Sequence, residues 1–193
     1  MQPPISSVLE FYSAEIGSAS RRIPVDSEVL PDLAMLAFDT SASGPPWTVA
    51  TLGMSARSMT TPAEPSDLPH RAELICYLPS IEHAYTWWIG WLAEFPFLDD
   101  TWVRAGHTVY GRQPLFPGSL LQHFMLLEPG PSAHREMSQR VRVAGHPVHL
   151  LWVVPITDAE RQYKVAHGAD ALGALFDRHG LPLVLDPARP SVA

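Results

Sequence analysis

The sequence predicts an α+β fold, a single domain in which a mixed, mostly antiparallel β-sheet is flanked by helices. The first observation behind this prediction is the run Val148 to Val154, which has the length and residue types of a strand. The run is apolar on both faces, which is typical of a strand at the centre of a sheet. The second observation is that further strand-like runs alternate with helical patterns along the chain, as they do in α+β domains.

A tight turn with a helix-start signal follows the central strand. We expect Pro155 to end the strand, because proline has no N–H to donate to a neighbouring strand. In the stretch from Thr157 to Glu160, the threonine hydroxyl can accept a hydrogen bond from the Glu160 amide while the glutamate reaches back, which is a capping box. Gly168 is expected to end the helix that follows. The sequence therefore predicts a strand, a turn and a helix in direct succession.

The other elements follow from apolar periodicity and from turn residues. A second C-terminal helix is expected to be capped by Asp170 and to end at Gly180. Another helix is predicted over 81–95, with Pro96 beyond its end, and an N-terminal helix is predicted before Gly17. An apolar run spans 33–38. Strands are predicted at 48–54, 71–78, 120–127 and 181–185, and a hairpin at 141–154 with its turn at 145–147. Loops are predicted at 55–69, 111–118 and 128–138.

The chain, residues 1–193, is expected to form one domain around one core. Residues 1–24 would be a helical lead-in and residues 186–193 a C-terminal tail. Seven large apolar side chains are expected to meet in the core: Leu52, Leu74, Trp91, Leu150, Trp152, Leu172 and Phe176. The tryptophans of the helix 81–95 fall at helical spacing in an apolar segment, so we expect most of them in the core and Trp87 as the most exposed.

Composition and charge exclude several classes of protein. Lys and Arg total 13 against 20 Asp and Glu, so the net charge is −7, whereas general nucleic-acid binding needs a basic face. A hydrophobic content of 46% with 17% charged residues is typical of an ordered chain. One cysteine excludes an internal disulfide, and neither a secretory signal nor an apolar run of membrane-spanning length is visible. We therefore expect a cytoplasmic protein that binds neither nucleic acid nor membranes.

The sequence contains no recognisable catalytic or metal-binding motif. His146 and His149 are three residues apart around Pro147, a spacing that does not bring both imidazoles together on a strand. Cys76 falls inside a predicted strand, where a small buried hydrophobic residue is its usual role. The segment that begins at Gly53 lacks the second glycine and the apolar helix of a nucleophile elbow. We therefore expect no catalytic residues, no metal and no cofactor.

The segment from Trp47 to Pro62 resembles the signature of the suppressor of fused domain family. In that family a strand ends in a Thr-x-Gly-Met-Ser run that is followed by a methionine and a proline, here Thr51, Gly53, Met54, Ser55, Met59 and Pro62. Further pieces agree in order and spacing: Glu73-Leu74 to Leu78-Pro79, the Trp-rich helix from Trp87 to Phe95, Pro155-Ile156-Thr157 to Glu160, and the tail from Asp186 to Val192. The resemblance begins near residue 25 and extends to the end of the chain.

The resemblance implies a mixed α/β domain and a role in protein binding. The animal member of the family restrains a transcription factor by holding a peptide of it between two domains. This chain is too short to include the second domain, so no binding residue is carried over. The bacterial single-domain type implies an immunity protein that neutralises a polymorphic toxin. We therefore expect a non-catalytic protein-binding domain with a basic toxin domain as its partner.

Two other functions stay open. One is a regulatory or scaffold protein unrelated to toxins. The other is an enzyme with a His/Asp cleft around Asp99, Asp100 and His107. A deep pocket with converging histidine and carboxylate groups would favour the enzyme, and a broad acidic or aromatic surface would favour the binding protein.

Two segments are the candidates for the partner-binding surface, because loops on a rigid scaffold carry recognition. They are the turn region 99–107 and the loop 111–118, which concentrate charge and an aromatic group in Asp99, Asp100, Trp102, His107 and Arg112. An acidic patch there would speed the capture of a basic partner. The alternative is that Trp102 lies in the core, His107 is a buried hydrogen-bonding group and the aspartates shape a turn.

The C-terminal residues Arg189 and Ser191 also have two interpretations. They could clamp a carboxylate of a partner. Alternatively, Arg189 could fasten the tail to the domain through a carboxylate or through backbone carbonyls. We expect the second.

Overall fold

The computed structural model describes residues 4–63 and 70–193. In these ranges the strands are β1 (Arg21–Pro24), β2 (Ala34–Asp39), β3 (Trp47–Leu52), β4 (Ala72–Leu78), β5 (Thr108–Val109), β6 (Leu121–Leu127), β7 (Arg142–Val143), β8 (His146–Pro147) and β9 (His149–Thr157). The helices are α1 (Pro4–Glu15), α2 (His83–Leu98), α3 (Ser132–Arg140), α4 (Asp158–His167) and α5 (Ala169–His179), and a short 3-10 turn spans Met54–Ala56. Part of the predicted loop 55–69, at 64–69, lies outside the described residues.

Seven of the strands form one mixed sheet in the order β1-β2-β3-β4-β9-β6-β5. Neighbouring strands in it are antiparallel except β4 and β9, which run parallel with Ala72 opposite His149. Since β9 lies between β4 and β6, the central position predicted for the apolar run is confirmed. β7 and β8 form a separate hairpin, whose turn lies at 144–145 and not at 145–147. The predicted fold class, an α+β domain with a mostly antiparallel mixed sheet, is confirmed.

Helices cover both faces of the sheet. On one face, Trp88, Ile89 and Leu92 of α2 pack in one cluster with residues of β4, β6 and β9. On the other face, α1 and α3 pack over β2, β3 and β4. Next to them, α5 packs over β6 and the end of β9.

The prediction of a single core is wrong, because the sheet lies between its members. They fall into three clusters: Leu74 on the α2 face, Leu52 and Leu150 under α1 and α3, and Leu172 and Phe176 on the buried side of α5. Trp152 is partly buried between the last two clusters. Trp91, which was expected in the core, is 38% exposed.

Two prolines that were predicted to end an element lie inside one. β9 continues through Pro155 to Thr157. The Pro155 carbonyl accepts a hydrogen bond from Arg189 instead of from a strand. The N–H and C=O of a strand residue point to the same side, so the missing N–H costs no bond in the ladder. α2 likewise continues through Pro96 to Leu98, and the disturbance is confined to its last turn.

Three other local predictions are wrong. α3 occupies most of the predicted loop 128–138; its sequence is so polar that Met137 alone is buried, which leaves little periodicity to read. The segment 181–185 forms no strand, although the Leu185 N–H donates to the Tyr77 carbonyl. α5 begins at Ala169, and its N-cap is Gly168, which has no side chain to cap it. Asp170 instead lies in the first turn, where a negative charge complements the helix dipole.

The capping box at the start of α4 is confirmed. The Thr157 hydroxyl accepts a hydrogen bond from the Glu160 N–H at 3.2 Å, and the Glu160 carboxylate accepts one from the Thr157 N–H at 2.9 Å. Gly168 ends α4, and Gly180 ends α5 in the left-handed conformation with a φ of 69°. The turn from β9 into the C-terminal helices is therefore the part of the fold that local sequence signals define best.

Candidate partner-binding site

A buried carboxylate organises the end of β3. Glu73 of β4 is fully buried, and its Oε2 accepts a hydrogen bond from the Thr51 hydroxyl at 2.6 Å. Its Oε1 accepts from the Gly53 N–H at 3.1 Å and from the N–H and the hydroxyl of Ser55, at 3.0 and 2.6 Å. We call these four residues the Glu73 cradle. The Thr-x-Gly-x-Ser sequence therefore supplies the hydrogen-bond donors that surround this carboxylate.

The Glu73 cradle holds the backbone rather than a ligand. Gly53 has a φ of 109°, and a Cβ there would lie 3.1 Å from the Asp32 carbonyl oxygen, so glycine is required. Burial raises the pKa of Glu73, and the hydrogen bonds from Ser55 and Thr51 oppose that rise. Because protein donors and the fold enclose the carboxylate, its role is to fix the turn that leaves β3.

A second buried carboxylate fastens the C-terminal tail. Arg189 donates to the two oxygens of Glu160, at 2.6 and 2.7 Å, and to the Pro155 carbonyl at 2.9 Å. The Ser191 hydroxyl lies 2.9 Å from that of Thr157. Burial raises the pKa of Glu160, but the hydrogen bonds from Arg189 and from the Thr157 N–H bring it below its usual value. Arg189 therefore binds the tail to the domain, as expected.

An open groove lies between α2 and the segment that follows β5. Its volume is about 880 Å³; α2 contributes Trp87, Trp91 and Leu98 to its lining, and the segment after β5 contributes Tyr110. Seven large hydrophobic side chains are exposed among the described residues, and these four are among them. We call this site the aromatic groove. Apolar side chains gathered in one concave surface are typical of a ligand or protein contact.

The core of the domain supplies the floor of the aromatic groove. Trp88 and Phe124 are buried, line the groove and have their ring centroids 5.1 Å apart. The ring of Trp91 lies 6.0 Å from that of Phe124. The indole N–H of Trp88 has no hydrogen-bond partner among the described residues. A groove with a packed floor loses little conformational entropy when a partner binds.

The predicted site residues divide between the aromatic groove and its flank. Asp99, which follows the last turn of α2, and Arg112 both line the groove. Asp100 has a φ of 47° and accepts a hydrogen bond from the Thr60 hydroxyl at 2.5 Å, so it also shapes the turn. Asp99 and Asp100 are exposed. The acidic start of the segment 99–107 is therefore next to the groove.

The end of the segment 99–107 has the opposite charge. The rings of Trp102 and His107 are in contact, with centroids 4.6 Å apart, and the Arg104 guanidinium lies 5.3 Å from the Trp102 ring. Burial lowers the pKa of His107, and the charges of Arg104 and Lys164 lower it further. The charged groups that act on the pKa of His107 are therefore the cations Arg104 and Lys164, and not a carboxylate.

Other reactive side chains are dispersed or enclosed. Within residues 4–63 and 70–193, no group of three or more His, Cys, Asp or Glu side chains is placed to hold a metal ion. Cys76 is buried in β4, and burial raises the pKa of its thiol. None of the described helices combines the length and the apolar character needed to cross a membrane.

Sequence reasoning found the charged flank but missed most of the aromatic groove. It predicted the exposure of Trp87 and placed Trp91 in the core. Trp91 lies against Phe124 of β6 and lines the groove between α2 and the segment after β5, an arrangement that no local pattern reveals. The available signal was α2 itself, whose sequence is apolar on nearly every side although a helix on a sheet buries only one face.

Sequence comparison relates the fold to a known family. The family model for Suppressor of fused protein (SUFU) matches residues 31–190. This chain belongs to the suppressor of fused family. The matched range includes the Glu73 cradle and the Glu160–Arg189 pair of this SUFU domain. No curated protein matches the sequence.

Solved structures share the SUFU fold over almost the whole chain. A suppressor of fused homologue from Neisseria gonorrhoeae has a TM-score of 0.72 at 20% identity, and the match covers 98% of this chain and 96% of that one. A chain of the Sufu–Fu complex has a TM-score of 0.69 at 13% identity, with 98% and 92% covered. Drosophila Suppressor of Fused has a TM-score of 0.67 at 13% identity, with 97% of this chain and 50% of that one covered. At these identities the similarity establishes the fold.

Proposed function

We propose that this SUFU domain is a non-catalytic protein-binding module and that it neutralises a polymorphic toxin as an immunity protein. The observation that carries the proposal is the aromatic groove, where Trp87, Trp91, Leu98 and Tyr110 are exposed above a buried floor. Aromatic anchors over a packed surface are typical of protein interfaces. One of the similar structures is a Sufu–Fu complex, which supports a protein as the kind of partner.

The charges beside the groove favour a basic partner. Asp99 and Asp100 are exposed next to it, and the chain has a net charge of −7. We propose that Asp99 and Arg112 contact the partner directly, and that Asp100, Trp102 and His107 form the outer part of the same interface. Complementary charge at the rim raises the association rate and makes that rate fall with salt.

Co-expression with the protein encoded by the neighbouring gene tests this proposal. We expect that protein to be toxic alone, to lose its toxicity in the presence of the SUFU domain, and to copurify with it. Binding without toxicity would replace the immunity role with a regulatory or scaffold role. A toxic neighbour that neither copurifies with the SUFU domain nor loses its toxicity would contradict the proposal.

A charge-reversal pair locates the interface. Asp99→Lys with Asp100→Lys should slow association by about tenfold or more at low salt, because it reverses the rim charge. The matched control is Glu136→Lys with Asp177→Lys, which changes the net charge equally on α3 and α5 at exposed positions. Equal association rates for the two double variants would remove the 99–107 segment from the interface.

A further inference from the structure

A buried histidine connects the wall of the aromatic groove to α4. The side chain of His123 in β6 is fully buried. Its Nδ1 accepts a hydrogen bond from the Gly111 N–H at 3.1 Å, and its Nε2 lies 3.1 Å from Oδ1 of Asp158, the first residue of α4. These two contacts require the neutral tautomer with the proton on Nε2, because Nδ1 has to accept while Nε2 donates.

Tyr110, which lines the groove, lies against the His123 ring. Its ring stacks on His123, with centroids 4.8 Å apart and an interplanar angle of 28°, and the Arg161 guanidinium lies 5.7 Å from the Tyr110 ring. Arg161 is in turn held by Asp158 through Nε at 3.0 Å. Next in the chain, a Cβ at Gly111 would lie 1.8 Å from the Gln122 carbonyl oxygen, so the backbone there is pressed against β6. The segment 110–112 therefore lies flat on His123 and against the backbone of β6.

We infer that His123 is the positioning residue that holds Tyr110 in the wall of the aromatic groove, and that its protonation releases the segment 110–112. An imidazolium has no lone pair on Nδ1, so the Gly111 N–H would face another N–H instead of an acceptor. The inference rests on the proposed function only in naming the groove as the binding site. The release of the segment is a property of the domain alone.

The groups around His123 determine the direction of the effect. Asp158 of α4 favours the imidazolium, and Arg161 of the same helix opposes it; Tyr110 and Gln122 are the polar side chains that face it from the β5 segment and from β6. Burial is the largest influence and lowers the pKa of His123 below 6.5. A histidine of this kind stabilises the closed segment fully above pH 6.5, and that contribution is lost as the pH falls through the lowered pKa.

Hydrogen exchange of the isolated domain tests the inference without any partner. We expect the protection factor of the Gly111 amide to fall by at least about tenfold between about pH 7.5 and about pH 4.5. The fall should follow the titration of the His123 ring in NMR spectra, and the Tyr110 ring resonances should shift with it. An amide that stays protected after the His123 ring has become protonated would overturn the inference.

Two isosteric variants separate the two ring nitrogens. His123→Asn keeps an acceptor near the position of Nδ1, so the Gly111 amide should stay protected down to about pH 4.5. His123→Gln keeps a group near Nε2 only, so its protection should be low and independent of pH. Loss of protection in His123→Asn at the same pH as in the parent would show that another group opens the segment.

Two further variants complete the test. Gly111→Ala should show the open segment at about pH 7.5, because its methyl group cannot lie against Gln122. His149→Gln removes a different histidine whose pKa burial also lowers, and it should retain the pH dependence of the parent. A pH dependence that disappears in His149→Gln would contradict the assignment to His123, and a closed segment in Gly111→Ala would contradict the close packing of the segment against β6.

Discussion

The Glu73 cradle and the aromatic groove distribute polar and apolar groups in opposite ways. In the cradle, a fully buried carboxylate accepts four hydrogen bonds from Thr51, Gly53 and Ser55. In the groove, large apolar side chains such as Trp87 and Tyr110 remain exposed. A buried polar group is tolerated when it is hydrogen-bonded, and an exposed apolar group contributes little to folding. The cradle therefore serves the fold, whereas the groove is available for a partner.

This difference implies that stability and binding can be separated by mutation. Changes in the cradle, or in the Glu160–Arg189 pair, should lower the free energy of unfolding and leave the groove chemically unchanged. Changes in the groove should lower the affinity for a partner with little effect on unfolding. A variant in either region that lowers both the unfolding free energy and the affinity for the partner would contradict this separation.

The largest loss of stability is expected for Glu73→Ala. The change removes the acceptor of two backbone N–H groups, at about 1–3 kcal/mol each, and leaves a cavity, so we expect a loss of about 5 kcal/mol or more. Urea unfolding followed by tryptophan fluorescence measures it. Glu73→Gln keeps the shape and one acceptor oxygen and should lose less than half as much. Equal losses in the two variants would show that the hydrogen bonds of the cradle are not what stabilises the turn.

The next largest loss of stability is expected for Arg189→Leu. This change leaves Glu160 buried without its cation, which costs about 3–5 kcal/mol near neutral pH. The pKa of Glu160 is lowered in the parent. The stability that the ionised carboxylate contributes is therefore present above pH 4.5 and is lost as the pH falls through the lowered pKa. The difference in unfolding free energy between the variant and the parent should therefore decrease from about pH 7 to about pH 4, where the unpaired Glu160 carboxyl can take up a proton. A difference that does not depend on pH would mean that packing, and not the ion pair, holds the tail.

A smaller loss is expected for Thr157→Ala. The variant lacks the hydroxyl that accepts from the Glu160 N–H, and loss of such a cap costs about 1 kcal/mol. Denaturant titration measures the change. Thr157→Ser keeps the hydroxyl and is the matched control. If Thr157→Ala and Thr157→Ser were equally stable, the capping box would contribute nothing.

Local signals in the sequence predicted the parts of the fold that local chemistry determines. The capping box at Thr157, the stops at Gly168 and Gly180 and the central strand after Val148 depend on neighbouring residues, and each was readable. The suppressor of fused signature was also recognisable. The physical reason for the signature was not recognisable, because Glu73 lies on another strand and reaches Ser55 only in the folded sheet.

The candidate site was only partly predictable for the same reason. Asp99 and Arg112 were identified as loop charges, and both line the aromatic groove. Trp91 was assigned to the core because its helical position is apolar, whereas in the fold it is 38% exposed in the groove between α2 and a distant segment. The Gly111 N–H of that segment donates to His123 of β6, a contact that forms only in the folded sheet.

The smallest effect on stability and the largest on binding are expected for Trp87→Ala with Tyr110→Ala. Calorimetric titration with the protein encoded by the neighbouring gene tests the central claim, that the aromatic groove is the recognition surface. We predict a loss of affinity of at least about 100-fold, with a change in unfolding free energy below about 1 kcal/mol. The control is Val165→Ala, an exposed apolar residue on α4 outside the groove, which should bind like the parent. Parent-like affinity in the double variant would contradict the claim.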